Sequence, residues 1–138
     1  KGEVGVVLVP HEPGASHIQE IKKRAQSLGL TFDLYSQALS SWEKDLLVID
    51  KVGILADLYS SCDYAFIGGS MDRQVHSVME ALASGLPCLV GPRHLKNREA
   101  LTFKKVSVGS CAVVTPIETQ GDLEKAFLHL KKSIPCHF

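Results

Sequence analysis

The chain has 138 residues, 15 of them basic and 15 acidic, with 45% hydrophobic and 22% charged content. This length and composition suit one ordinary globular domain with room for a core. A net charge of zero excludes the broad basic footprint of a nucleic-acid binder, and no apolar run approaches the ~20 residues of a membrane helix.

Residues 4–9 (VGVVLV) are mostly β-branched and read as a strand buried on both faces. Pro10, His11, Glu12 and Pro13 stop it. An amphipathic helix is predicted over residues 14–28, with Ile18, Ile21, Ala25 and Leu28 inward. Ser16 and Gln19 have capping-box spacing, and Gly29 closes the helix. Residues 31–35 form a second strand, and 36–44 a polar loop in which Trp42 is a packing anchor. Residues 46–49 form the third strand. A helix from Gly53 to about Ser60 then turns Ile54, Leu55, Leu58 and Tyr59 inward.

Residues 64–92 (YAFIGGSMDRQVHSVMEALASGLPCLVGP) are the most informative stretch. Tyr64 to Ile67 is a buried strand, and Gly68, Gly69 and Ser70 let the backbone bend sharply and approach a ligand. From Val75 the period changes: Val75, Val78, Met79, Leu82 and Ala83 make one helical stripe, ended by Gly85. His76 and Glu80, four apart, share its polar face. Residues 87–90 form the fifth strand. A helix is predicted over 93–103, a sixth strand over 112–115 and a last helix over 119–133, with Leu123, Ala126, Phe127 and Leu130 buried.

Strands alternating with helices predict an α/β fold, a doubly wound parallel sheet of Rossmann-like type over residues 1–138. The expected strand order is 3-2-1-4-5-6, with Gly53, Gly68 and Gly91 at the carboxyl edge where such sheets bind ligands. At that edge Glu80 is either a solvated helix residue or an acceptor for ribose hydroxyls. His76 is either a polar residue near a helix start or a donor to phosphate. Gly53 is plain turn geometry or a source of backbone N–H groups. His11 and Glu12 end the first strand at the same edge. The cysteines, Cys62, Cys88, Cys111 and Cys136, form no CxxC pair and are expected to be reduced packing residues. The histidines lack metal-ligand spacing, and no metal is expected.

Four segments together resemble the carboxyl-terminal half of the Kdo transferases, which attach 3-deoxy-D-manno-octulosonic acid (Kdo) to lipid A. The first is Asp50-Lys51-Val52-Gly53-Ile54-Leu55-Ala56-Asp57-Leu58-Tyr59, similar to D-x-x-G-x-L-x-x-L-Y. The second is Asp63-Tyr64-Ala65-Phe66-Ile67-Gly68-Gly69-Ser70, similar to D-x-A-F-x-G-G-S. His76-Ser77-Val78-Met79-Glu80 follows, similar to H-N-x-L-E, and residues 85–92 (GLPCLVGP) are similar to G-x-P-V-x-x-G-P. Pro10-His11-Glu12 resembles the family's turn after the first strand. Ser77 stands where the family has asparagine, Ile54 where it often has an acid, and the loop 71–75 lacks its usual glycine pair.

The resemblance implies one half of a glycosyltransferase B fold, the domain that binds the donor CMP-Kdo. It implies donor contacts by His11, Asp50, Val52, Gly53, Gly68, Gly69, Ser70, His76, Ser77, Glu80, Lys96 and Glu99, with no cofactor beyond the donor and Arg93 assisting by charge. The catalytic base and the binding of the lipid A precursor are then expected in an amino-terminal domain preceding Lys1. The full-length enzyme is expected at the cytoplasmic side of the bacterial inner membrane, in lipopolysaccharide biosynthesis. This domain is expected to be soluble, without membrane contact of its own, and inactive alone. Two other readings remain at this point: a donor domain for a UDP-sugar, and a non-catalytic domain that has lost nucleotide binding, for which Ser77 and Ile54 speak.

Overall fold

Parallel pairing organises the chain, as the strand–helix alternation predicts. The computed structural model describes residues 4–38, 42–68 and 78–132. Two compact units meet in sequence between Leu55 and Ala56, each with its own three-stranded parallel sheet.

The first unit holds β1 (Val6–Leu8), α1 (Ala15–Ser27), β2 (Phe32–Leu34) and β3 (Leu46–Val48). Its strand order is β1-β3-β2, which corrects the expected 3-2-1 arrangement. β3 takes the centre because Leu46, Leu47 and Val48 are buried on both faces, as a central parallel strand requires. β1 is an edge instead: Val6 is 47% and Leu8 37% exposed, contrary to the expectation of burial on both faces. The physical reason lies in α1. Its Ile18 and Ala25 pack on Leu34, Leu46 and Val48, so the helix covers β2 and β3.

The predicted helix is present, but Gly14 is its N-cap, with Ile18 N–H donating to Gly14 O at 3.0 Å. Ser16 therefore lies inside the first turn and makes no capping box. At the other end Gly29 adopts φ 69°, Gly29 N–H donates to Gln26 O and Leu30 N–H to Ala25 O, a Schellman closure. That geometry turns Leu28 outward, 66% exposed, where an inward position is expected. Trp42 is the packing anchor its loop suggests: its ring lies over Gly5, where an added Cβ would stand 2.8 Å from Trp42 Cη2.

α2 (Leu55–Tyr59) spans the change of unit. It starts two residues later than expected because Gly53 takes φ 82°, outside helical space. The second unit continues with β4 (Ala65–Ile67), α3 (Met79–Ala83) and β5 (Cys88–Val90). A 3-10 turn over Pro92–Lys96 then precedes α4 (Arg98–Phe103). The predicted helix over 93–103 is thus two pieces. Asn97 separates them, its side chain accepting from Ala100 N–H at 2.8 Å to cap the second.

β6 (Ser107–Val108) and β7 (Cys111–Ala112) form an antiparallel hairpin absent from the sequence expectation. Gly109, φ 60°, and Ser110 make its two-residue turn, glycine first as such turns favour. The hairpin takes Ala112, so the last parallel strand, β8 (Val114–Pro116), begins later than predicted. The order β4-β5-β8 matches the expected second half of the sheet. α5 (Gln120–Lys132) packs Leu130 against Leu89 and Ile117, with Leu123 and Ala126 beside them. Phe127 is 40% exposed, a departure from its expected burial.

Candidate functional site

In the first unit Leu8 and Leu34 both align with Val48, so the three strands end at one level. The segments that leave them carry the expected site residues: His11 after β1, and Asp50, Val52 and Gly53 after β3. His11 is exposed, beside Glu12, whose carbonyl lies 3.1 Å from His17 Nδ1. Val52 is 72% exposed and Gly53 has open space where a Cβ would be. An apolar side chain and bare backbone therefore stand uncovered within this unit.

Asp50 is already engaged. Ser36 N–H donates to Asp50 Oδ1 at 2.9 Å and Ser36 Oγ donates to Oδ2. The Ser36 hydroxyl, followed by its backbone N–H, holds the Asp50 carboxyl below the usual carboxylate range, against some opposition from burial. Ser36 is absent from the sequence-derived set, where it reads as part of a polar loop. Its trace in the sequence is a repeated spacing and not a motif. Thr31 and Asp45, also 14 residues apart, make the same clamp at the opposite end of the strand pair, with Thr31 N–H and Oγ1 donating to Asp45 Oδ2 at 2.9 and 2.7 Å.

In the second unit Ile67, Val90 and Pro116 are level, so Gly68 and Gly91 leave adjacent strands at one edge. α3 lies in the crossover from β4 to β5 and carries Glu80 in its first turn. Glu80 is exposed, and its charge adds to burial in pushing the Tyr59 phenol up to about 12. Val78 and Ala81 are the fully buried residues of this segment, whereas Met79 is 38% exposed. Among the described residues the buried stripe is therefore rotated from the one expected; Val75 lies outside them. Lys96 and Glu99 follow β5 on exposed positions. Gly69, Ser70, His76 and Ser77 lie outside the described residues.

Among the described residues, one buried polar side chain carries none of the expected roles. His94 is 3% exposed in the 3-10 turn after β5. Its Nδ1 lies 2.9 Å from Gly91 O, which can only accept, so Nδ1 carries the proton. Its Nε2 is buried with no hydrogen-bond partner among the described residues. The Cys88 thiol, pushed up to about 12 by burial, stays protonated and behaves as the expected packing residue. The described residues contain no group of His, Cys, Asp and Glu able to hold a metal, and no helix among them is long and apolar enough to cross a membrane.

No protein-family model matches the chain. The 3-deoxy-D-manno-octulosonic acid transferase of Chlamydia muridarum (strain MoPn / Nigg) is 38% identical over 101 residues, which is 67% of this chain and 23% of that protein. The probable mitochondrial 3-deoxy-D-manno-octulosonic acid transferase of Arabidopsis thaliana is 30% identical over 125 residues, 88% of this chain and 27% of that protein. This chain thus spans about a quarter of the length of the curated relatives it matches. In three dimensions it resembles the crystal structure of the C-terminal CMP-Kdo binding domain of WaaA from Acinetobacter baumannii. The TM-score is 0.74 at 20% identity, covering 91% of this chain and 63% of that one. The α/β fold with parallel strands is shared with that domain, and the chain is a homologue of the 3-deoxy-D-manno-octulosonic acid transferases.

Proposed function

We propose that this chain is the donor-binding domain of a Kdo transferase, holding CMP-Kdo while Kdo passes to a lipid A precursor in lipopolysaccharide synthesis at the bacterial inner membrane. The observation that carries the reading is the 38% identity to the Chlamydia muridarum transferase over 101 residues. The reading is supported by where Asp50 to Gly53, Gly68 and Gly91 fall, just beyond the carboxyl ends of parallel strands.

In the reaction an acceptor hydroxyl forms a bond to the anomeric carbon of Kdo as the bond from that carbon to the CMP phosphate breaks. The hydroxyl proton goes to a base supplied by another part of the enzyme. The task of this chain is to bind and orient the donor. Glu80 accepts from ribose hydroxyls, His76 donates to the phosphate or the sugar carboxylate, and the turn at Val52 and Gly53 approaches the nucleotide with its backbone. Stabilising the departing phosphate is an electrostatic contribution.

Titration of the chain with CMP, followed by backbone NMR, tests this. CMP is expected to bind with a dissociation constant on the order of millimolar, about 4 kcal/mol, because one domain offers only part of a cleft. UDP is expected to bind more weakly, since a second phosphate needs more basic partners than these turns carry. Shifts on CMP addition that avoid residues 50–55 and 68–80 contradict the site. Equal binding of UDP and CMP favours a UDP-sugar donor, and no binding of either favours a domain without nucleotide affinity.

A further inference from the structure

The β2–β3 pair carries two chemically matched clamps, one at each end, and only one of them lies where the candidate donor turn begins. Thr31 and Asp45 tie the amino ends together, and Ser36 and Asp50 tie the carboxyl ends, each through one backbone N–H and one hydroxyl donated to the carboxylate. Asp50 is followed directly by Lys51, Val52 and Gly53, the turn whose last residue holds φ 82°. The carboxylate spends an oxygen on each Ser36 donor and is thereby oriented along β2. We infer that Asp50 and Ser36 are positioning residues: their hydrogen bonds set the direction in which the chain leaves β3 and so hold Val52 and Gly53 in the conformation that receives the nucleotide.

The inference rests on the nucleotide-binding reading proposed above. It assigns Asp50 a role through the backbone in place of a direct donor contact, and it brings in Ser36, which no sequence motif marks. The Asp50 carboxylate, an ordinary anion at neutral pH, is favoured further by the Ser36 hydroxyl and N–H, which meet one oxygen each.

The test uses the whole chain, CMP as probe, and four variants: Asp50→Asn, Ser36→Ala, Ser36→Thr and Asp45→Asn. Asp50→Asn and Ser36→Ala are each expected to weaken CMP binding about tenfold, which is about 1.4 kcal/mol. Ser36→Thr, which keeps the hydroxyl, is expected to retain the wild-type affinity. Asp45→Asn removes the matched clamp at the far end and is expected to lower thermal stability as much as Asp50→Asn while leaving CMP affinity within about twofold. That split separates a positioning role from loss of fold. Loss of affinity in Asp50→Asn with none in Ser36→Ala overturns the inference, because the carboxylate then meets the ligand itself. Equal losses in Asp45→Asn and Asp50→Asn also overturn it. A wild-type chain that binds no CMP overturns both this inference and the donor-binding reading, whereas binding unchanged in every variant overturns the positioning role alone.

Discussion

At Gly5 the absence of a side chain has a single physical cause, the Trp42 ring 2.8 Å from where a Cβ would stand. Gly5→Ala is therefore expected to destabilise the chain by about 1–3 kcal/mol, as overpacking does, and to change the tryptophan emission as the ring is displaced. Chemical denaturation followed by fluorescence measures both, and an unchanged midpoint with an unchanged spectrum contradicts the contact. Glu80 illustrates the opposite condition, an exposed carboxylate in the first turn of α3. Glu80→Ala is expected to keep thermal stability while weakening CMP binding by roughly 1–3 kcal/mol, the worth of a hydrogen bond to a charged group. Calorimetric titration beside a thermal melt reads the two effects separately.

Among the elements, β2 and β3 are tied by a carboxylate at each end. Hydrogen bonds from Thr31 hold the Asp45 carboxyl below its ordinary 3.8, and those from Ser36 do the same for Asp50. Both folded-state values are depressed, so each group contributes stability that is present above the unfolded value and is lost as pH falls through the folded one. Asp122, held down by Thr119 at the start of α5, acts in the same direction. The melting temperature is expected to stay level from about pH 7 to pH 5 and to fall below about pH 4, with a shallower fall in the Asp45→Asn, Asp50→Asn double variant. Thermal melts across that range check it. An acid limb as steep in the double variant as in the wild type shows that other carboxylates govern it.

For the whole molecule the expectation concerns what the chain does alone. Transfer to a hydroxyl needs a base within hydrogen-bond reach of the acceptor and a surface that holds it. The residues with donor-like chemistry follow the carboxyl ends of strands in both units, and none has been assigned to an acceptor. This chain, which spans 23% of the Chlamydia muridarum relative, is accordingly expected to show no turnover of CMP-Kdo with a lipid A precursor. A radiolabelled transfer assay measures this. Turnover by the chain alone places the base within these residues, with Glu12, exposed after β1, the first to substitute.

Local chemistry determined the strands of both parallel sheets and the two long helices, but not the β6–β7 hairpin or the break at Asn97. Leu46 to Ile49 has no polar member and forms the buried centre of its sheet; Gly29 ends α1 in the left-handed conformation its position predicts. Parallel connectivity then carried the motif residues to strand ends, since each strand must be left at its carboxyl edge. Helix limits were less legible where one residue's backbone angle decides them, φ at Gly53 and ψ at Gly14. Three features were decided only by tertiary structure. The order β1-β3-β2, the exposure of Val6 and Leu8, and the engagement of Asp50 by Ser36 all depend on which distant segment lies alongside. Periodicity reports the face a residue turns to its own neighbours in sequence. It contains no term for a hydroxyl 14 residues away, and a carboxylate drawn toward ligand or toward Ser36 has the same sequence in either case.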